Sequence, residues 1–522
     1  MEFRLFLISL EQIALITNFD DRVNDLLKVI TILDPNDIIP FINLSHREWP
    51  SVYLKTQELS PGLNTDIGQL RPSPTIREIY DLVCKTLVIV TSERLIWLAS
   101  LSERVDPHAS DWIKNLVMDN HTIRLSSATI LEALSRSNRT KGVNKDNLWH
   151  AYAVCHDLGR VAHRVLIENP KKPSKIIPVC GIPIIREHIP TLSTIAAWEK
   201  LGPCIMEPKR DGYYCQIHKK GQKVYLYSVN GENWATKYSD RFSEVITSIL
   251  HEIQLDEVIL EAELIAWDNE REFLPRTKFW EATNYKLLIY DLLFASGYDW
   301  TIKPYNKRRK ELIRIIRPEK DECIIIPKEY YVNSLSELEQ AFTHEDPQFE
   351  GVIAKSPTFI LRPGQKSLGR VKVKKHENID VTLVGLGFGR NPDGSKYPNQ
   401  YLLAIYDPIN DRFLTIGYAS EGLGKEDSKK LISQIQGLLT ESKPLRVIIL
   451  TDQVPDSWVV PKIVLEVKFE KIEFTAQSKE PNAPFRVIGI QFAKDCLRTK
   501  DKTPEDSTTI DDLGDYATLN QS

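Results

Sequence analysis

The chain has 522 residues, a formal net charge of −4, and hydrophobic and charged fractions of 42% and 26%, as soluble globular proteins do. This length predicts roughly three domains, and the charge balance excludes a globally basic coat while leaving local basic clusters open. Seven cysteines, at 84, 155, 180, 204, 215, 323 and 496, form no C-x-x-C pair. That excludes a zinc ribbon and a disulfide framework and fits a reducing compartment.

The N-terminal stretch MEFRLFLISLEQIALI is apolar but is interrupted by Glu11 and has no small-residue cleavage site after it. It reads as a buried helix and not as a signal peptide. No run reaches the length of a membrane span, so a soluble protein is expected, in the cytoplasm or nucleoid of a prokaryote or the nucleus of a eukaryote. Helical spacing of apolar residues recurs over Asp21–Leu33, Thr75–Ile89, Ser92–Ser102 and Ala128–Ser135, so residues 1–180 read as mostly helical. The Pro- and Lys-rich stretch 169–185 is the linker candidate.

From about 186 the texture turns to short β-rich runs: CQIH, KVYLYSV, EVILEAELIAW, KLLIYDLLF, ECIIIP and GVIAK, with helices over Tyr238–Glu252 and Ser334–Phe342. This predicts an α+β domain with antiparallel strands. From about 378, the strands DVTLVGLGFG, YLLAIYD, RFLTIGYA, RVIIL, IVLEVKFEKIEF and FRVIGIQF, with one helix over Lys425–Leu439, predict a small β-barrel. The segment 503–522 is acidic and polar with little to bury, and composition predicts disorder.

Within the second region, Lys209 stands in Glu207-Pro208-Lys209-Arg210-Asp211-Gly212, a K-x-D-G motif. Taken by itself the motif reads as a surface turn, with Asp-Gly supplying the bend. The other reading is a covalent nucleophile, a role lysine takes only when its site favours the neutral amine. Downstream, Glu261 and Glu263 share one face of an apolar strand, where carboxylates are costly unless paired or metal-bound. Tyr290 sits in the buried run IYDLL, which suits simple core packing equally well. Glu350 and Lys355 bracket FEGVIAK, and Lys372 and Lys374 share one face of VKVKK. Two such lysines either solvate an edge strand or hold an anion such as phosphate between them.

The order of these motifs, K-x-D-G, E-x-E, Tyr-Asp-Leu-Leu, E-G-V-x-x-K, V-K-V-K and then a small barrel, resembles the covalent nucleotidyltransferase superfamily, and within it the ATP-dependent DNA ligases. The six motifs span about 209 to 502, and the segments TIRLSSATILEAL and GIPIIREHIPTLS resemble the helical region that precedes them in that family. The resemblance implies a multidomain chain: an α-helical N-terminal DNA-binding domain (1–180), an α+β nucleotidyltransferase or adenylation domain (181–376), a β-barrel OB-fold domain (377–502) and the tail (503–522). It implies ATP and Mg²⁺ (Mn²⁺ as an alternative) as cofactors, nicked duplex DNA as partner, and a monomer.

By the same resemblance, Lys209 attacks the α-phosphate of ATP, and Lys372 and Lys374 grip that phosphate. Glu207, Asp211, Gly212, Tyr290 and Lys355 join them around the nucleotide: Glu207 at the adenine-reading position, Tyr290 stacking on adenine, Lys355 near the phosphates. Glu263 and Glu350 match metal-binding positions, and Glu263 also faces the ribose. GLGFGRN (385–391) resembles a glycine-rich turn of the barrel domain, with Arg390, Arg498 and Lys502 as nucleic-acid phosphate contacts. Four departures stand out. Tyr214 and Val229 occupy positions where the family carries arginines, Glu261-Ala262-Glu263 stands where it commonly reads Asp-Gly-Glu but retains the key glutamate, and the final motif is altered across Gln491–Lys502. An RNA ligase, a capping-type guanylyltransferase and a ligase-derived nick-binding protein are the competing readings. An NAD-dependent ligase would bring a zinc-binding cysteine cluster, which this sequence lacks.

Overall fold

The computed structural model describes residues 1–16, 18–46, 74–87, 98, 105–117, 124–137, 143–168, 176–210, 212–268, 273–274, 276–316, 323–340, 349–374, 378–390, 396–420, 422–450, 454–469, 471–474, 485–499 and 502–513. The chain divides into two compact units, Met1–Ile185 and Arg186–Ser522. No helix among the described residues is long and apolar enough to cross a membrane.

The first unit is helical. Its opening helix, Phe3–Leu15, buries Phe3, Phe6, Leu7, Leu10 and Ile13 along one side, so the apolar N-terminal stretch is a core helix, as its interruption by Glu11 suggested. Phe6 packs edge-on against Phe41 and Trp112, with ring centroids 5.4 and 5.8 Å away. Further helices run over Phe19–Ile32, Ile76–Leu87 and Ser127–Arg136, within a few residues of the expected spans. The expected helix at 92–102 falls outside the described residues apart from Leu98. The helix Lys145–Cys155 has weak amphipathicity because it is buried on several sides, which hid it from periodicity.

The second unit contains two sheets before residue 375. The strands are β1 (Thr191–Leu192), β2 (Cys204–Arg210), β3 (Tyr213–Lys220), β4 (Lys223–Ser228), β5 (Glu257–Trp267), β6 (Asn284–Ala295), β7 (Tyr298–Asp299), β8 (Ile324–Ile325), β9 (Tyr330–Val332), β10 (Phe349–Lys355) and β11 (Arg370–Lys374). One sheet has the order β1-β11-β10-β2-β9; the other runs β4-β3-β5-β6-β7, with β8 beside β6. Each has an apolar face and a polar face, because side chains alternate along a strand. In the first sheet Cys204, Val352, Ala354, Val371 and Val373 form the core. In the second, Tyr213, Cys215, Leu260, Ala262, Leu264, Leu287 and Ile289 do so, joined by an aromatic group including Trp234, Phe242 and Phe279. Burying each valine, leucine, isoleucine or phenylalanine among them stabilises by about 1.5–3 kcal/mol.

After residue 377 come β12 (Asn378–Arg390), β13 (Lys396–Asp407), β14 (Arg412–Ala419), β15 (Leu439–Thr440), β16 (Val447–Ile448), β17 (Ser457–Lys468), β18 (Lys471–Phe474), β19 (Phe485–Ile488) and β20 (Gln491–Leu497). Seven of them make one sheet, β15-β17-β12-β13-β14-β16 with β20 on β17, and β18 and β19 pair separately. Among the described residues this is an open path of strands and not the closed barrel expected from sequence. The glycine-rich GLGFG is also not a turn. It lies inside β12, where register shifts fall at Leu383/Gly385 and Gly387/Phe388. A Cβ on Gly385 would lie 2.7 Å from Pro455 Cγ, so glycine serves close packing there.

The expected disorder of 503–522 is corrected for its first half. Pro504–Asp506 forms a 3₁₀ turn closed by a capping box between Thr503 and Asp506, and Leu513 is fully buried. Charge holds this segment: Asp506 pairs with Arg186 at 2.8 Å, and Asp512 pairs with Lys366 at 2.7 Å and with His188 at 3.3 Å. Composition registers missing apolar residues but not cations waiting far upstream. Residues 514–522 lie outside the described residues.

Candidate active site

The polar faces of the two early sheets line one cleft, to which segment 186–191 and residues from 380 and 498–512 also contribute. On the first sheet the register sets the geometry. Gly351 of β10 stands opposite Lys209 on β2 and opposite Lys374 on β11. Two residues along, Ile353 lies between Glu207 and Lys372; two further, Lys355 lies opposite Arg370. Because side-chain direction repeats every second residue, Lys209, Lys372, Glu207, Lys355 and Arg370 all belong to one face. Glycine at 351 puts no side chain between the rows of Lys209 and Lys374. The strand carrying Lys372 and Lys374 is flanked by β10 and β1, which rules out the solvated edge strand.

The K-x-D-G motif is not a surface turn either. Lys209 is within β2, and Gly212 does not adopt a positive φ. A Cβ on Gly212 would lie 2.6 Å from Leu264 O and 2.7 Å from Glu263 Cγ, so only glycine lets the chain pass this close to β5. The motif therefore brings Lys209 and Glu263 to neighbouring walls of the same cleft.

Ion pairs fix the floor. Lys355 is buried and donates to Glu207 Oε2 at 2.6 Å, while Tyr305 donates to Glu207 Oε1 at 2.6 Å. Burial pulls the Lys355 ammonium below its ordinary value, with Glu207 opposing. Arg370 spans Glu187 at 2.7 Å and Glu261 at 3.1 Å, and Arg308 grips Asp291 through two bonds of 2.7 and 2.8 Å. Glu261 is thus committed to Arg370 and to the Tyr214 hydroxyl, which donates to it at 3.2 Å. Burial and that carboxylate push the Tyr214 phenol well above its ordinary range. Glu263, half-buried on the same strand, faces the cleft beside Tyr290, and the β5–β6 register shifts between Glu261 and Ala262 at the level of Tyr290.

The expected residues Lys209, Glu207, Gly212, Glu263, Tyr290, Lys355, Lys372, Arg498 and Lys502 all line this one cleft. Arg498 pairs with Glu466 at 2.7 Å and Lys502 pairs with Asp380. Asp211 lies outside the described residues, as do the side chains of Glu350, Lys374 and Arg390, whose backbones are in β10, β11 and β12. Sequence reasoning did not find Arg186, Glu187, Tyr305 or Arg370, since each is tied to partners distant in sequence. Among the described residues no group of three or more His, Cys, Asp or Glu side chains converges as a metal cage. The carboxylate of Glu263 is the donor type a hard cation takes.

A lysine-bearing cationic sheet face stands opposite a carboxylate-bearing one in this cleft, a charge pattern suited to a polyanionic ligand. The model of the ATP dependent DNA ligase domain matches residues 189–374, and that of the ATP dependent DNA ligase C terminal region matches 394–487. A DNA ligase of Pyrobaculum islandicum is 28% identical over 484 residues, covering 87% of this chain and 80% of that one. One of Sulfophobococcus zilligii is 29% identical, covering 80% and 72%, and one of Sulfolobus acidocaldarius is 29% identical, covering 84% and 77%. The chain belongs to the ATP-dependent DNA ligases. Its activity is the ATP-dependent sealing of nicks through an adenylylated intermediate.

Proposed function

We propose that Lys209 is the residue that carries AMP in this reaction. The observation supporting it most strongly is the register that sets Gly351 between Lys209 and Lys374, with Lys372 one row along on the same face. Lys209 Nζ attacks the α-phosphorus of ATP; the bond to the bridging oxygen breaks and pyrophosphate leaves. A 5′-phosphate oxygen of the nick then attacks the lysyl-AMP, forming a pyrophosphate link and freeing the lysine. Last, the 3′-hydroxyl attacks the 5′-phosphorus, the phosphodiester closes and AMP leaves. Lys372 and Lys374 stabilise charge on the phosphate oxygens as it moves, a role of positioning and electrostatics.

Glu207 and Tyr290 bind the adenine end, Asp211 and Gly212 also bind the nucleotide, and Glu263 serves the ribose. The buried Glu207–Lys355 pair supports a positioning part for Lys355, which fixes the Glu207 carboxylate. Glu263 and Glu350 would hold Mg²⁺ or Mn²⁺, which would supply charge neutralisation at the phosphates. Residues 1–180 serve as a DNA-binding domain, 181–376 as the adenylation domain and 377–502 as the OB-fold domain of a monomer that binds a nicked duplex; Arg390, Arg498 and Lys502 contact its phosphates, so binding depends on salt and not on base sequence.

The test uses Lys209→Ala on two nicks. The variant should fail on a 5′-phosphorylated nick yet seal a pre-adenylylated one, since the lysine acts only before that point. Sealing of the phosphorylated nick by the variant contradicts the assignment.

A further inference from the structure

Arg186 lines the same cleft as Lys209 and Lys372. Its guanidinium lies over the ring of Tyr214, 5.4 Å from the centroid. Tyr214 is itself held, donating to Glu261 at 3.2 Å and accepting from Gln216 at 2.8 Å. A guanidinium stacked on an aromatic face keeps its N–H edge for ligands in its own plane. Arg186 Nη2 contacts Asp506 Oδ2 at 2.8 Å. A carboxylate and a phosphate offer a guanidinium the same fork of anionic oxygens. The Arg186 side chain keeps 21% of its surface exposed, so a substrate anion can reach it. Arg186 thus places a cation beside Tyr214 on this wall of the cleft.

We propose that Arg186 binds a substrate phosphate in the cleft, and that Asp506 occupies its phosphate place until substrate arrives. This rests on the reading of the cleft as the adenylylation site. Phosphates enter from two substrates during the reaction, the triphosphate of ATP and the 5′-phosphate of the nick, and both share the chemistry Arg186 recognises.

The test uses the full chain and the variants Arg186→Gln and Arg186→Lys. One arm measures single-turnover lysyl-AMP formation from ATP and Mg²⁺. The other loads each protein with AMP and measures transfer to a 5′-phosphorylated nick. Arg186→Gln should raise the half-saturating concentration of ATP or of the nick by about tenfold or more, the size of one lost charge-assisted hydrogen bond. Arg186→Lys should recover only part, since lysine lacks the planar fork, and the melting temperature should hold. The arm that fails identifies the phosphate. Asp506→Asn should lower the same half-saturating concentration when Arg186 is present and leave it unchanged in Arg186→Gln. Unchanged values in both arms overturn the proposal, as does a loss that merely follows the melting temperature. The AMP site mapped in the wild-type chain reports separately on Lys209: attachment to another residue sinks the underlying reading, while Arg186 is still judged by the transfer arm.

Discussion

Glu207 and Lys355 form a buried ion pair of 2.6 Å across neighbouring strands, two residues upstream of Lys209. The pair is satisfied twice, because Tyr305 donates to the other carboxylate oxygen. Breaking a buried pair by removing one partner costs about 3–5 kcal/mol, and less on the Glu207 side, which keeps Arg309 at 3.7 Å. Lys355→Met and Glu207→Gln should each lower the unfolding midpoint accordingly. The double variant should lose less than the two singles summed. Urea denaturation read by tryptophan fluorescence checks this, and additive losses would mean the pair is not coupled.

Gly212 is a second point of leverage. A methyl there meets Glu263 Cγ and Leu264 O at under 3 Å, so Gly212→Ala should push β5 away from β2 and shift Glu263. A displacement of this order costs about 100-fold in rate. Single-turnover adenylylation should fall by that factor while circular dichroism shows the fold intact. An alanine variant at the wild-type rate would remove the packing argument for the motif's glycine.

The lining of this cleft is more legible in the sequence than its architecture. The places of Lys209, Lys372 and Glu263 in it can be read because strand alternation and local motifs are properties of neighbouring residues. Arg370 was not: its partners Glu187 and Glu261 are 183 and 109 residues away, and nothing in the pattern RVKVK marks its first residue as a bridge between sheets. Asp506 and Asp512 were misread for the same reason, since an acidic stretch looks unstructured until its distant cations are known. GLGFG resembles a glycine-rich turn of the family, but glycine serves bends and close approaches alike, and the neighbouring Pro455 decides for the second. The closed barrel was inferred from strand count, which does not say whether the end strands meet.

His218 gives a pH signature. It is fully buried on β3 with Nε2 3.3 Å from Gln216 Oε1, and burial pushes its pKa from 6.5 down to about 3. The folded chain therefore holds this ring neutral while the unfolded chain protonates it below pH 6.5. Stability should fall by about 1.4 kcal/mol per pH unit from this residue as pH drops from 6.5 toward 3, and recover as pH rises. His218→Gln should flatten that part of the profile, read as unfolding midpoints between pH 7 and 4. An unchanged slope would mean His218 is protonated in the folded state.

Lys372 shares the face of Lys209 but lies one row away. Lys372→Ala should slow lysyl-AMP formation by about 100-fold or more, as expected when a preorganised charge is removed from a transition state. The melting temperature should move little, because the side chain is half-buried and not part of the apolar core. Rapid-quench adenylylation with ATP and Mg²⁺ checks it. A normal rate would leave the alternation of lysines on β11 without a catalytic part.

The central claim is that Lys209 takes AMP covalently. Its most direct test is intact mass spectrometry of the full chain after incubation with ATP and Mg²⁺, followed by peptide mapping, beside Lys209→Ala. The account predicts a mass gain of one AMP on the wild type, mapped to Lys209, and none on the variant. An adduct of the same size on Lys209→Ala, or none on the wild type, would contradict it.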